Sequence, residues 1–479
     1  MKQQLNILFA SAEVVPFSKT GGLADVAGSL PKEIAKSENI TVITPYYGTM
    51  DMSPYKLNLI GKKKIKMGPI NTTVSYYEYT NLNVRYVFVA HNYYERDAYY
   101  GYLDDHERFF LFNYAILEYI DLTKTTFDLL HVNDWQAAMV PFLLEKHYKK
   151  SPLYKDIKTL LSIHNLQYQG SFDKSAYVYT NAAFEYTYIH FEQLNFLKCG
   201  IVKADYINTV SETYRDEIQT EYFGATLDGS LKERKDRLYG ILNGIDDTIY
   251  NPETDPHIPF KFNKRRFING KRQNKVRLLE KYGLDLIKEI PLVTYIGRLA
   301  GQKGLDLMMA TLEEAVAASN ANYIFLGSGE EKYERFLKEL SQKYPKKFYA
   351  YIGFSNPLAH ELYASSDLMV MPSQFEPCGL SQMISMRYGT LPIVRETGGL
   401  KDTVIPYNKY TNEGNGFSFA NYNAHEFKDT LLTAIDLYNN NQYVFRLLQQ
   451  QAMNEDFSLV EMGKKYLDLY KKIVKEDSN

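Results

Sequence analysis

Thr20-Gly21-Gly22-Leu23-Ala24-Asp25, close to the start of the chain, returns as Thr397-Gly398-Gly399-Leu400-Lys401-Asp402 in its second half. Each copy would open a helix. Paired glycines ahead of a helix leave backbone N–H groups bare and let an anion approach closely, and the helix dipole adds a favourable field. A single Gly-Gly loop is a common turn. Two copies, one in each half, point to two jaws closing on one phosphate-bearing ligand.

Around both copies, short runs rich in Ile, Val, Leu and Phe alternate with longer stretches of helical period, the signature of parallel sheets covered by helices. The first half predicts strands near residues 5–11, 40–45, 84–90, 129–132, 159–164 and 206–210. The second predicts them near 292–297, 323–326, 348–352, 368–371 and 391–394. Between the halves, residues 243–274 carry Pro252, Pro256 and Pro259 among many polar residues, which reads as a linker or hinge. An amphipathic stretch at 459–474 would pack back across that hinge onto the first domain. The expected division is therefore an N-terminal domain over 1–245, a nucleotide-binding domain over 246–455 and a returning helix within 456–479.

Bulk properties agree with this division. A chain of 479 residues is too long for one comfortable core, so two domains of similar size are expected. The balance of 55 Lys+Arg against 57 Asp+Glu offers no global field for nucleic acid, so any anion recognition must be local. No apolar run approaches bilayer length, and the first apolar stretch meets Glu13 almost at once, which reads as a strand rather than a leader or an anchor. Cys199 and Cys378 stand far apart, against a disulfide framework or a zinc site, and a cytoplasmic location is expected. The 42 tyrosines suit sugar faces, but Asn, Lys and Ile are plentiful too, and compositional drift explains most of them.

Chemistry concentrates at predicted strand ends. Gly297-Arg298-Leu299-Ala300-Gly301-Gln302-Lys303-Gly304 places two cations beside a helix start. Arg298 can fork onto phosphate oxygens and Lys303 can act as a point charge, a pairing suited to a departing diphosphate. Solvated surface cations are the plainer alternative; the carboxyl end of a parallel strand, where doubly wound sheets bind ligands, favours a site. No Gly-Lys is followed by Ser or Thr, so this is not a Walker loop. Lys19, just before the first Gly-Gly loop, would reach the same phosphates. Asp134, in His131-Val132-Asn133-Asp134-Trp135, and His164, in Ser162-Ile163-His164-Asn165, fall on two successive strand ends. Asp134 is expected to orient an acceptor hydroxyl; the functional reading is weaker for His131, and Trp135 fits an anchor for its loop. Glu376, in Glu376-Pro377-Cys378-Gly379-Leu380, can accept hydrogen bonds from vicinal sugar hydroxyls or cap the next helix. Cys378 reads as a small packing residue. No Asp-x-Asp or His-Glu-x-x-His occurs, and Asp104-Asp105 and Asp246-Asp247 look like turn residues, so no metal and no cofactor is expected.

Taken in order, these motifs resemble those of the bacterial glycogen synthases and plant starch synthases that use ADP-glucose. The matching stretches run nearly end to end and include Lys19 to Leu23, His131 to Trp135, His164-Asn165-Leu166, Leu242-Asn243-Gly244-Ile245-Asp246, Gly297 to Gly304, Glu376 to Leu380 and Thr397 to Leu400. The resemblance implies an α/β chain of GT-B architecture: two Rossmann-like doubly wound domains with an interdomain cleft. It also implies retaining transfer of glucose from ADP-glucose to the non-reducing end of glycogen or another α-1,4-glucan, without a metal. Carried over by position, Arg298 and Lys303 neutralise the diphosphate, Lys19 contacts the donor, and Gly398 and Gly399 offer amides. Glu376 holds glucose hydroxyls, His164 and Asp134 line the reaction centre, and Asn243 lines the donor pocket. Gly21, Gly22, Asn165, Phe354, Cys378, Gly379, Leu380 and Thr397 complete the expected binding set. Phe354 stands where the family often has a tyrosine against adenine, and Glu192 and His106 stand where it usually has glycine. Ile384 stands where many other retaining transferases of this fold carry a second glutamate. A UDP-glucose enzyme or a transferase to another acceptor remains open, as does a catalytically dead glucan binder. A nicotinamide dehydrogenase fares worse, because no Gly-x-Gly-x-x-Gly follows the first strand.

Overall fold

A computed structural model of the chain describes residues 4–286 and 290–475. The chain divides into two units, one formed by 1–242 with 459–479 and the other by 243–458.

In the first unit the strands are β1 (Asn6–Ala10), β2 (Asn39–Pro45), β3 (Asn58–Met67), β4 (Ile70–Asn81), β5 (Val84–Ala90), β6 (Leu129–Asn133), β7 (Lys158–Ile163), β8 (Ser171–Asp173), β9 (Ile189–His190), β10 (Gln193–Asn195), β11 (Tyr206–Thr209) and β12 (Leu238–Gly240). Nine of these form one sheet in the order β12-β11-β7-β6-β1-β2-β5-β4-β3, parallel from β12 to β5, and β8, β10 and β9 form a small antiparallel sheet. The central strands are buried on both faces, which is why they read as unbroken apolar runs. β1 lies between β2 and β6, so the sheet grows in both directions from it, and the loops after β1 and β6 diverge at that point. Such switch points are where doubly wound sheets bind ligands.

The second unit repeats this plan with six parallel strands: β13 (Leu292–Ile296), β14 (Asn322–Gly327), β15 (Phe348–Ile352), β16 (Leu368–Met371), β17 (Leu391–Arg395) and β18 (Phe417–Phe419). Their order is β15-β14-β13-β16-β17-β18, the Rossmann order 3-2-1-4-5-6, with its switch point between β13 and β16. Leu292, Ile324 and Leu326 on two of these strands pack with Leu278, Leu279, Leu358 and Leu362 of the covering helices.

Besides the short strands β8, β9, β10, β12 and β18, two larger features depart from the sequence expectation. The β3–β4 hairpin was not anticipated, because its outer face is polar: Lys62, Lys63, Lys64 and Lys66 interleave with the buried Ile65 and Met67. Lysines of this kind protect a sheet edge from pairing with another chain. The stretch 243–274, expected as a linker, is packed into the second unit. Asp255 is buried and accepts hydrogen bonds from Tyr388 Oη (2.6 Å) and pairs with His360 Nδ1 (2.7 Å). Ile258, Phe262 and Phe267 are buried too, and the helix Phe267–Tyr282 starts inside the stretch. Asp255, Lys271 and Asn274 within the stretch are buried and find partners in the fold, while many of its other polar residues face solvent.

The C-terminal helix Leu459–Lys475 belongs to the first unit. Tyr470 Oη meets His131 Nδ1 at 2.7 Å, Tyr466 Oη accepts from Asn208 Nδ2 at 3.0 Å, and Gly463 lets the helix approach Glu33 of the helix Gly22–Ile34. Among the described residues no helix is long and apolar enough to cross a membrane.

Candidate functional site

At the switch point of the second unit, the loop after β13 meets the loop after β16. Gly301–Lys303 forms a single 3-10 turn, and Gly304 (φ +75°) then starts the helix Leu305–Ala318. A Cβ on Gly304 would lie 2.1 Å from Pro372 O, so only glycine lets the two loops approach this closely. The approach brings Lys303 Nζ to 2.5 Å from Glu376 Oε2, and Ser373 Oγ donates to the same oxygen at 3.1 Å. The Glu376 side chain is 9% exposed and that of Lys303 21%. Arg298 is exposed, bonded through Nη2 to Gln302 Oε1 at 3.3 Å, and among the described residues it has no carboxylate partner. Two of the three expected groups are thus in direct contact, and the third, the cation Arg298, stands open on the same loop as Lys303.

The second Gly-Gly pair does something other than expected. Gly399 N–H donates to Glu376 O (3.1 Å) and Pro377 O (3.2 Å), so it is not bare. A Cβ on Gly398 would lie 2.0 Å from Glu376 O, and one on Gly399 would lie 2.1 Å from Cys378 O. The pair, with Gly398 at φ +44°, lets the buried Thr397 turn press against the 376–378 backbone and hold it. Gly379 also has a left-handed backbone (φ +73°), and Leu380 precedes the helix Ser381–Arg387. Cys378 is buried, and burial pushes its thiol up to about 12. The backbone N–H of Asn243 bonds to that sulfur. Asn243 is itself buried, and its Oδ1 has no hydrogen-bond partner in the structure, an unmet acceptor of the kind a ligand hydroxyl or amine would satisfy. Phe354, just after β15, is 88% exposed, an open apolar face at the carboxyl edge of the sheet.

In the first unit, Gly21 and Gly22 stand in open space, where an added Cβ would meet nothing. The helix Gly22–Ile34 has no side-chain cap at Gly21, so the positive end of its dipole is uncovered. Lys19 is exposed and paired with Asp25 at 2.7 Å, which shares its charge rather than leaving it free. Below the loop, Glu13 is buried and accepts from Thr20 N–H, from Thr20 Oγ1 (2.6 Å) and from Tyr100 Oη (2.7 Å).

Asp134 departs from its expected role. It sits at φ +53°, and its Oδ1 accepts from His164 N–H at 2.7 Å; the Asn165 N–H also bonds to it. The carboxylate therefore caps the turn after β7 rather than standing free for an acceptor hydroxyl. Burial pushes it up to about 7, against these backbone hydrogen bonds, which pull it down. His164 is buried, its Nε2 lies 3.0 Å from Asn133 Oδ1, and burial lowers it to about 4, so at neutral pH the ring is uncharged. Asn165 turns inward on its own chain, accepting from Gln167 N–H at 3.0 Å. His131 is structural, held between Ser162 and Tyr470.

The family departures resolve differently from one another. Glu192 has φ +58°, beside Phe191 at +46°, in a two-residue turn between β9 and β10, so the usual glycine there has a backbone reason. His106 lies in the helix Asp105–Thr123, against the Phe172 and Tyr179 rings, with no such constraint. Ile384 is buried in the helix Ser381–Arg387. Sequence reasoning missed Glu13, Ser373 and Gln302. For Glu13 the signal was an acid directly following an apolar strand; for the others the signal is tertiary.

Two Rossmann-ordered sheets, with a cation–carboxylate pair at the switch point of the second, are the architecture of the GT-B glycosyltransferases, and family matches place the chain among them. Residues 6–233 match the model of the starch synthase catalytic domain, and residues 281–446 match that of the glycosyl transferases group 1. The chain is 51% identical over 476 residues to a glycogen synthase from Acholeplasma laidlawii, covering 98% of this chain and 100% of that protein. It is 44% identical over 482 residues to a glycogen synthase from Bacillus cereus, covering 98% and 100%. Among solved structures, the catalytic domain of starch synthase IV from Arabidopsis thaliana, bound to ADP and acarbose, superposes with a TM-score of 0.90 at 29% identity, over 99% of this chain and 100% of that one. The chain belongs to the glycogen synthase family.

Proposed function

We propose that this glycosyltransferase moves glucose from ADP-glucose to the non-reducing 4-OH of an α-1,4-glucan with retention, releasing ADP. The observation that carries the proposal is the Lys303–Glu376 pair at the switch point, with the uncompensated Arg298 on the same loop. Lys303 has three donors, so it can keep Glu376 while reaching a diphosphate oxygen. The starch synthase relative that holds ADP and acarbose supports the adenine nucleotide and a glucan-like acceptor.

In this reading the bond from C1 of glucose to the diphosphate oxygen breaks as C1 bonds to the acceptor oxygen on the same face. The departing diphosphate takes the acceptor proton, and Arg298 and Lys303 stabilise its charge. Glu376 and Asn243 hold sugar hydroxyls, Thr397, Gly398, Gly399, Cys378, Gly379 and Leu380 shape the donor pocket, and Phe354 stacks on the base. In the first unit, Lys19, Gly21 and Gly22 form an anion-accepting helix start. Asp134 holds the His164-Asn165 turn in place, and the neutral His164 serves as a hydrogen-bonding group rather than an acid.

Phe354 stacks on any base and carries no hydroxyl to select one, which keeps UDP-glucose as the second reading. Incubating the protein with each nucleotide sugar and glycogen, then weighing glucan growth and digesting it with an α-1,4-specific glucosidase, separates the readings. Growth only with UDP-glucose, or linkages that resist the enzyme, would reject the proposal. A cytoplasmic location is part of it, supported by two free, buried cysteines.

A further inference from the structure

Three other residues of the second unit, Arg395, Tyr422 and Gln302, contact the loops that carry Lys303 and Glu376. Arg395, at the end of β17, is 7% exposed and donates through Nη1 to Gln374 O at 2.9 Å. Among the described residues no carboxylate pairs with it, and its Nε has no partner in the structure. A nearly buried guanidinium without a counter-ion is expensive to keep, so its placement demands a reason. Its guanidinium carbon sits 5.7 Å from the centre of the Tyr422 ring. Tyr422 Oη in turn donates to Asp306 Oδ1 at 2.5 Å and reaches Gly301 O at 3.2 Å. The circuit closes through Gln302. Its carbonyl accepts from Gln374 N–H (2.8 Å), its Nε2 donates to Phe375 O (3.1 Å), and its Oε1 accepts from Arg298 (3.3 Å).

We infer that Arg395, Tyr422 and Gln302 form a brace that sets the spacing of Arg298 and Lys303 against Glu376, and that Arg395 and Tyr422 are positioning residues for the donor diphosphate. Arg395 holds the loop that carries Glu376 by its backbone. Tyr422 holds the end of the loop that carries the two cations, through the Asp306 carboxylate at 2.5 Å with Gly301 O at 3.2 Å beside it, and lies under Arg395. Gln302 joins the loops and orients Arg298. None of these contacts uses the Lys303 or Glu376 side chain, and Arg298 keeps its charge open to a ligand. The inference rests on the proposed function for its ligand, but the brace itself is independent of which base the donor carries.

The test uses the full chain and the variants Tyr422→Phe and Arg395→Lys, which keep the ring and the charge respectively. The expected result is a rise of about three- to tenfold in the donor KM for each, the equivalent of one lost hydrogen bond, with the glucan KM and the thermal midpoint unchanged. An unchanged donor KM overturns the inference, whether or not the midpoint falls, since a lower midpoint alone marks ordinary scaffolding. If the wild-type chain turns over neither ADP-glucose nor UDP-glucose, the proposed function fails and amide exchange decides the brace. Faster exchange across 297–304 and 373–376 in both variants supports it, and unchanged exchange overturns it.

Discussion

Replacing Lys303 by alanine tests the centre of the proposal, because the structure predicts two separable losses. The first is catalytic. An ammonium held in place by Glu376 at 2.5 Å, on a side chain only 21% exposed, is a preorganised donor for charge developing on the diphosphate. Removing one such donor elsewhere costs about 10²–10³ in turnover, and the same is expected here. The second is structural. The Glu376 carboxylate, 9% exposed, would keep only the Ser373 hydroxyl as a side-chain donor. Leaving a buried charge short of a partner costs about 1–3 kcal/mol, which for a unit of this size lowers the melting midpoint by roughly 2–4 °C per kcal/mol. A second change, Glu376→Gln, removes the stranded charge. The double variant should therefore recover most of the thermal loss and none of the turnover. Steady-state kinetics with ADP-glucose and glycogen, alongside thermal melts of the four proteins, read both terms. Turnover within threefold of wild type in Lys303→Ala would remove the lysine from the chemistry. A midpoint that falls as far in the double variant as in Lys303→Ala would show that the stranded Glu376 charge is not the source of the thermal loss.

The carboxyl of Asp134, raised from an unfolded value near 3.8 to about 7, favours folding while protonated, and that contribution is lost as pH rises between those values. Asp134→Asn should therefore gain stability relative to wild type on going from pH 4 to pH 8, by roughly 2–4 kcal/mol in denaturant titrations, and equal pH slopes for the two proteins would refute the shift. His164 runs the opposite way: its fall from 6.5 to about 4 gives stability present above pH 6.5 and lost on acidification toward 4, so His164→Gln should lose less stability across that window in the same titrations. Glu192→Gly relieves a left-handed backbone at φ +58° and gives up only an exposed pair with Lys174, so its thermal midpoint should rise by the equivalent of about 0.5–1 kcal/mol; a fall would mean the turn is not strained. Phe354→Ala removes the proposed base platform, and the donor KM should rise about tenfold with kcat little changed and the fold intact, since the ring is 88% exposed.

The fold was legible because parallel strands buried on both faces announce themselves as apolar runs. β1, β2, β5, β6, β7 and β11 fall within a residue or two of their expected places, as do β13 to β17. What escaped has a common cause. β3 and β4 expose a face, so their apolar residues alternate with lysine, threonine and tyrosine and form no run. The Pro-rich stretch after Asn243 looked solvated because sequence does not reveal that Asp255 meets His360 and Tyr388 more than a hundred residues away. The site divides in the same way. Lys303 and Glu376 were readable as charged residues at strand ends, and the structure puts them in contact. Gln302, Arg395 and Tyr422 were not readable, because their partners are brought to them only by the fold and they carry no pattern of their own.

The twin Gly-Gly loops show how far a motif alone can carry a mechanism. By sequence they are one device used twice; by geometry they are two. At Gly21 and Gly22 an added Cβ would touch nothing, so no packing demand accounts for the glycines, and the uncapped helix start is what they leave accessible. At Gly398 and Gly399 the same Cβ would strike carbonyl oxygens of Glu376 and Cys378 at 2.0 and 2.1 Å, and the Gly399 amide is already spent on that backbone. The first pair is therefore open to an anion, and the second is a clamp on the strand of chain that bears Glu376. Alanine discriminates between them. Gly21→Ala and Gly22→Ala should fold with a wild-type melting midpoint, and any loss should appear in donor affinity. Gly399→Ala must move the 376–378 backbone or fail to fold, so its loss should appear in the midpoint and in turnover together. A Gly399→Ala protein with an unaltered midpoint would refute the clamp, and a Gly22→Ala protein that melts early would refute the open loop.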